Sequence, residues 1–198
     1  MKRHLSFVSS IFVVISYSLF TFLSLMKFPN TYSPIRNWLS DLGSYQLNPR
    51  GAIFYNVGIV VAGISMLLFF LGLSSWALTG NKKQNAMLFL TQFFGSLGSL
   101  SMILSALFPI NIVETHAFWS ASLYILIGTA FAFSVAAFRY YSKYPRWLLF
   151  LGILIALEDM IWGLVLNTFI VEWLTVALFL FYILLLGFET KRKVMYMG

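Results

Sequence analysis

The sequence contains no cysteine, which excludes disulfides, thiolate nucleophiles and cysteine-ligated zinc sites. Charged residues are also scarce, at 10 % of the chain against about a quarter in soluble domains. Hydrophobic residues make up 60 %, and the mean hydropathy is +0.86. No nucleophile elbow, phosphate loop or zinc-protease motif is present in the sequence. These properties exclude an ordinary soluble domain and indicate an integral membrane protein.

Six apolar segments are long enough to cross a bilayer as helices, which takes about 20 residues each. The sequence therefore predicts an all-α fold, a single domain over residues 1–198 with six transmembrane helices and no catalytic head outside the bilayer. The first segment follows basic residues as a signal peptide does, but no cleavage site follows it, so we expect it to remain as the first helix. The segments are approximately 5–25, 51–78, 86–108, 117–138, 147–167 and 169–188.

The net charge of +7 is distributed by side of the membrane rather than over a nucleic-acid-binding face. Ten of the thirteen lysines and arginines fall at helix ends that a six-helix topology places together. The positive-inside rule then predicts that both termini are cytoplasmic, and we expect no nucleic acid partner. The three others, which we expect outside, are Lys27, Arg36 and Arg50.

The longest polar stretch between these segments is residues 31–56, which we expect outside the membrane. Ser33 and Pro34 are typical of the start of a helix, and Gly43 is typical of its end. Apolar residues at helical spacing between them predict a short interfacial helix of roughly nine residues lying against the bundle. Asn48 before Pro49 predicts the cap of the second transmembrane helix.

Two adjacent acids, Glu158 and Asp159, occur within the fifth segment. They lie about 17 Å into the helix at 1.5 Å per residue, which is close to the middle of the bilayer. Adjacent helical residues point about 100° apart, so the two carboxyl groups do not share a face. Asp159 shares its face with Gly152 and Ala156, and we therefore expect Asp159 to point into the bundle. Asn167 and the residue after it are predicted to form a tight outer turn.

The predicted topology brings many polar residues together in the outer leaflet, where unpaired groups cost several kcal/mol. They could be paired, with Arg36 or Arg50 holding Asp41 or Glu172, or they could line a wet pocket. His116, close to several carboxylates, is a candidate general base, although a lone loop histidine is more often structural. We predict no bound metal and no cofactor. The candidate site residues are Arg36, Ser40, Asp41, Arg50, Asn56, Glu114, His116, Asn167 and Glu172, with Glu158 and Asp159 below them.

Several of these residues carry a resemblance to a prokaryotic membrane family of unknown function numbered 998, which has six helices. The matching pieces are Ser40-Asp41-Leu42-Gly43, Phe54, Asn56, Phe108-Pro109, His116 and Glu172. Family members often carry arginine after the last acid, where this chain has Trp173. The serine-rich loop and Pro49-Arg50 resemble more faintly the eukaryotic proteins of GPI-anchor remodelling and autophagy modulation. That likeness implies lipid-related work in the outer or lumenal leaflet.

Three functions compete on these observations. The first is a lipid-binding or lipid-handling protein in which Arg36 and Arg50 meet an anionic headgroup of a membrane lipid. The second is a membrane-embedded lipid hydrolase or transferase, with His116 as base and Asp41 or Glu172 orienting it. The third is a proton-coupled transporter that uses Asp159 or Glu158, although no internal repeat is visible. The sequence gives no indication of the oligomeric state.

Overall fold

A computed structural model describes residues 4–164 and 168–197, apart from the side chains of 162–164 and 194–197. Within this part the chain is all-helical with no strand, as the sequence predicts. Within the described residues five of the helices are long and apolar enough to cross a membrane, and the fifth helix in chain order ends where the described residues are interrupted. The helices are α1 (Leu5–Leu25), α2 (Ala52–Gly72), α3 (Lys82–Leu107), α4 (Val113–Phe138), α5 (Arg146–Leu164) and α6 (Phe169–Met197).

The helices alternate in direction, so their ends gather at two opposite ends of the bundle. We call one the loop end, which holds residues 26–51 and 108–112 and the start of α6. The other is the basic end, which holds residues 73–81 and 139–145. The rings of Phe7 and Phe188 are 5.3 Å apart, so the two termini share the basic end. Two predicted features, the cationic pair Lys2 and Arg3 and the turn at Asn167, lie outside the described residues.

The first loop contains a short helix, but it is not the predicted nine-residue helix beginning at Pro34. It is a 3-10 helix over Leu39–Gly43, which we call the loop helix. Residues 33–37 form a separate turn in which Asn37 accepts a hydrogen bond from the Ser33 N–H at 3.1 Å. Trp38 then adopts an extended conformation and packs on the ring of Phe169 at 4.5 Å. The predicted start and length of the helix were therefore wrong, because Trp38 interrupts it. Ile35, one of the apolar residues at helical spacing, is 66 % exposed, so the predicted apolar face is buried only from Leu39 onward.

Gly43 does not close the loop helix in the predicted left-handed conformation, which requires a positive φ. Among the described residues only Gly80, in a turn at the basic end, has a positive φ. Similarly, α2 begins at Ala52 rather than at Pro49. The Asn48 carboxamide oxygen still accepts the Gly51 N–H at 3.1 Å. Asn48 therefore closes a turn ahead of the helix instead of capping the helix itself.

Helix α1 contacts the rest of the bundle through a polar stripe. Its buried residues recur every three or four positions and include five serines. Small hydroxyl side chains allow close approach of neighbouring helices in a membrane, and their O–H groups can bond to helix carbonyls. Ser6, for example, donates to the carbonyl of Phe69 on α2 at 2.9 Å. This packing directs Tyr17, the largest polar side chain of α1, into the protein.

Candidate functional site

All five residues of the loop helix are buried, and carboxylates from two elements bind its start. The Trp38 N–H donates to Asp41 Oδ2 at 3.0 Å, and the Leu39 N–H donates to Glu172 Oε2 at 2.5 Å. Ser40 also hydrogen-bonds to Glu172, through both its backbone N–H and its hydroxyl. The first N–H groups of a helix have no intrahelical partner and carry partial positive charge, so a carboxylate is a suitable acceptor there. Asp41 and Glu172 therefore fix the loop to the bundle.

The end of the loop helix is held by two buried asparagines. The Asn48 side-chain amide lies 3.2 Å from the carbonyl and 2.9 Å from the hydroxyl oxygen of Ser24, and 3.0 Å from the carbonyl of Leu42. Asn56, near the start of α2, donates to the carbonyl of Gly43 at 3.0 Å. These bonds connect the loop to α1 and α2. The role of Asn56 is therefore structural, since its side chain holds the backbone of the loop helix.

Asp41 makes its contacts within its own loop. Besides the Trp38 N–H, its carboxylate interacts with the side chain of Asn37. Burial raises the pKa of Asp41 above its ordinary value, because the loss of hydration outweighs the two hydrogen bonds that favour the charged form. Among the described hydrogen bonds His116 contacts neither Asp41 nor Glu172, the two carboxylates that were candidates to orient it.

His116 lies on the first turn of α4 and is held by backbone carbonyls. Its Nδ1 is 3.0 Å from the carbonyl oxygens of both Ser105 and Phe108. Because carbonyl oxygens only accept hydrogen bonds, Nδ1 must carry the proton, and in the neutral ring Nε2 is then an acceptor. The Ser120 hydroxyl, one turn further along α4, lies 3.3 Å from Nε2. In the described part of the chain no group of three or more acidic or histidine side chains could hold a metal.

A cavity lies between the loop helix and the middle of the bundle, and we call it the central cavity. It has about 50 Å³ open to the centres of water molecules, whereas a single water needs roughly 10–15 Å³. Its apolar walls come from α2, α3, α4 and α6. Five of the predicted site residues line it together, namely Ser40, Asn56, His116, Asp159 and Glu172.

Asp159 has no hydrogen-bond partner on either carboxylate oxygen within the described residues, although it is only 1 % exposed. It lines the central cavity, which confirms that it points into the bundle. Glu158 points elsewhere and accepts a hydrogen bond from the Thr175 hydroxyl. Buried polar groups almost always have a hydrogen-bond partner, so the unsatisfied Asp159 carboxyl is an unusual feature of the cavity.

Arg36, Arg50 and Glu114 are exposed at the loop end, and none of them lines the central cavity. Neither arginine forms an ion pair with Asp41 or Glu172, since the one ion pair in the described part of the chain joins Arg192 to Glu189 at the basic end. Of the two alternatives for the polar cluster, pairing of an arginine with Asp41 or Glu172 is therefore not the arrangement found in the described residues. The loop is held by backbone N–H groups donating to carboxylates, and no described lysine or arginine reaches the cavity.

Several cavity residues were not predicted from the sequence. Tyr17, Tyr55 and Tyr124 line the central cavity, and the hydroxyl oxygens of the first two are 3.3 Å apart. Ser105 and Ser120 also line it. The stripe of serines and Tyr17 on α1 was the available signal, because the polar face of a transmembrane helix turns away from lipid.

The model of a protein family described as "Protein of unknown function (DUF998)" matches residues 11–188, which include most of the bundle. The chain belongs to this family. The match confirms the resemblance carried by the loop helix, His116 and Glu172. No curated protein and no solved structure matches the chain. In this DUF998 protein, the chemistry of the site has to be inferred from its own residues.

Proposed function

We propose that this DUF998 protein binds the polar group of a membrane lipid or similar amphiphile in the central cavity. The observation that carries the proposal is the buried Asp159 carboxyl, which lines a cavity and has no described partner. Such a group is costly in a membrane protein unless water or a ligand satisfies it. The walls of the cavity include Ile59, Met102 and Phe179, which suit an apolar chain.

The charge of the cavity indicates which ligands suit it. Asp159 and Glu172 are acidic, and no described lysine or arginine accompanies them. An anionic headgroup would find no basic side chain to pair with, so the proposed ligand group is a hydrogen-bond donor, either an amine or a set of hydroxyls. The volume accommodates a group of that size rather than a whole lipid. Arg36 and Arg50 remain candidates for contacts with headgroups at the surface only.

Lipid retained during purification tests this proposal. We expect amine- or hydroxyl-bearing lipid to be enriched with the wild type and depleted in Asp159→Asn, as measured by mass spectrometry of the extracted protein. Glu158→Gln is the matched control, since it removes a carboxylate from the adjacent residue outside the cavity. An amine ligand loses its ion pair in Asp159→Asn, whereas a hydroxyl ligand is partly retained. Identical lipid profiles in all three proteins would contradict the proposal.

A second candidate function is a membrane-embedded hydrolase or transferase, and the contact between Ser120 and His116 favours it. The ring is oriented by carbonyls at Nδ1 and could accept the Ser120 proton at Nε2, as a serine nucleophile requires. A fluorophosphonate probe should then label wild type but not Ser120→Ala. His116→Asn retains a donor toward the two carbonyls but has no Nε2, so a folded variant without labelling supports catalysis. Equal labelling of wild type and Ser120→Ala would exclude this function.

We also propose that the basic end is cytoplasmic, which puts the central cavity near the outer leaflet. Eight lysines and arginines lie at the basic end among the described residues, against three at the loop end. Such an excess normally faces the cytoplasm.

A further inference from the structure

A second, larger pocket opens at the basic end, far from the central cavity along the helices. It has about 630 Å³ open to the centres of water molecules. Three basic side chains and one acidic side chain line it, so its net charge is positive. Its charged residues are Lys143, Glu189, Arg192 and Lys193, and its aromatic residues are Trp76, Tyr141 and Tyr144.

Lys193 is fixed in this pocket by neutral groups. Its ammonium donates to the carbonyl of Ser75 and to the hydroxyl oxygen of Tyr141, both at 2.7 Å, and lies 4.7 Å from the centre of the Trp76 ring. Burial raises the pKa of Tyr141 to about 12, so its hydroxyl stays protonated and donates to the carbonyl of Trp76. An ammonium has three N–H donors, and these bonds use two of them. One donor of the Lys193 ammonium remains for a ligand.

Arg192 also retains donors. It pairs with Glu189 at 2.7 Å and donates to the carbonyl of Lys143 at 3.2 Å, and both bonds use Nη2. A guanidinium has five N–H donors, so Nη1 and Nε can still bind an anion. Glu189 therefore neutralises at most one of the three basic side chains of the pocket.

We propose that this pocket binds a phosphate ester, with Lys193 and Arg192 contacting the phosphate oxygens. Phosphate offers several acceptor oxygens, and bonds to it from lysine or arginine are charge-assisted. Tyrosine and tryptophan at a membrane boundary suit the remainder of a headgroup. Two sources share this chemistry, a phospholipid headgroup and a soluble phosphate compound. The proposal does not depend on the function of the central cavity, because no residue lines both pockets.

The test compares the thermal unfolding midpoint of the full chain in maltoside micelles, which contain no phosphate, with that in mixed micelles containing phosphatidylglycerol. We expect phosphatidylglycerol to raise the midpoint of wild type. Arg192→Gln/Lys193→Gln should need an about tenfold higher phosphatidylglycerol content for the same shift. Lys82→Gln/Lys83→Gln removes the same charge from exposed residues at the same end and should behave as wild type. A phosphatidylglycerol effect equally reduced in both double variants would overturn the site in favour of general surface charge.

Lys193→Gln could fail to fold because it loses the bonds to Ser75 and Tyr141, so a second variant is needed. Ser142→Glu places a carboxylate in the pocket from an exposed lining residue and removes no described hydrogen bond. It should abolish the response to phosphatidylglycerol, and an unchanged response would contradict the proposal. Inorganic phosphate and glycerol phosphate distinguish the sources. Stabilisation by these soluble ions without any by phosphatidylglycerol assigns the pocket to a soluble phosphate compound, and no response to any of the three overturns it.

Discussion

The carboxylate of Glu172 accepts a hydrogen bond at 2.5 Å from the backbone N–H of Leu39, 133 residues earlier in the chain. The same carboxylate binds the backbone and hydroxyl of Ser40. One side chain of α6 thus determines where the loop helix starts, and the loop helix in turn covers the central cavity.

Replacing Glu172 should therefore detach the loop. Glu172→Ala leaves the Leu39 and Ser40 donors without acceptors, and we expect it to lower the free energy of unfolding by about 1–3 kcal/mol. Glu172→Gln keeps one acceptor oxygen and should cost less. Glu114→Ala, an exposed acid on the first turn of α4, is the control and should change stability by under about 0.5 kcal/mol. Thermal unfolding in detergent measures all three, and equal stability of Glu172→Ala and the control would refute the role of Glu172.

The raised pKa of Asp41 predicts a pH dependence with a definite sign. A carboxyl whose pKa is higher in the folded state stabilises the fold when protonated, so this contribution is complete below the unfolded pKa of 3.8. It is lost as the pH rises through the folded value. Asp41→Asn stays neutral and keeps an oxygen for the Trp38 N–H. The stability of wild type relative to Asp41→Asn should therefore fall as the pH rises from acid to neutral, and the opposite slope in paired unfolding curves would contradict this prediction.

Removing the N–H donors of the Asn48 side chain should lower the stability of the fold. Asn48→Asp replaces the amide that faces the Ser24 and Leu42 carbonyls with an oxygen, and repulsion plus unpaired groups should cost roughly 3 kcal/mol. Asn111→Asp is the matched control, because it retains the oxygen that accepts the Tyr45 N–H at 2.9 Å. We expect near-normal expression and melting for the control only. Equal melting temperatures for the two variants would show that the Asn48 bonds are dispensable.

The sequence predicted the helices and their alternation well, because length and apolar composition determine both in a bilayer. It also predicted that Asp159 faces inward, from the spacing along a single helix. The contacts of Glu172 with the loop helix could not be predicted from the sequence, because they depend on how α6 packs against a loop that is distant in sequence. The alternative that paired Arg36 or Arg50 with Asp41 or Glu172 fails for a physical reason. Exposed arginines are well hydrated, and the backbone N–H groups of the loop helix had no other acceptor.

The orientation of the bundle can be tested directly because the chain has no cysteine, so any introduced cysteine is the sole thiol. Gln46 is exposed at the loop end and Lys83 at the basic end. If the excess of basic residues sets the topology, a membrane-impermeant maleimide should label Gln46→Cys on intact cells. It should label Lys83→Cys only after permeabilisation. The reverse pattern would place the central cavity in the cytoplasmic leaflet, and any ligand of Asp159 would then have to enter from that side.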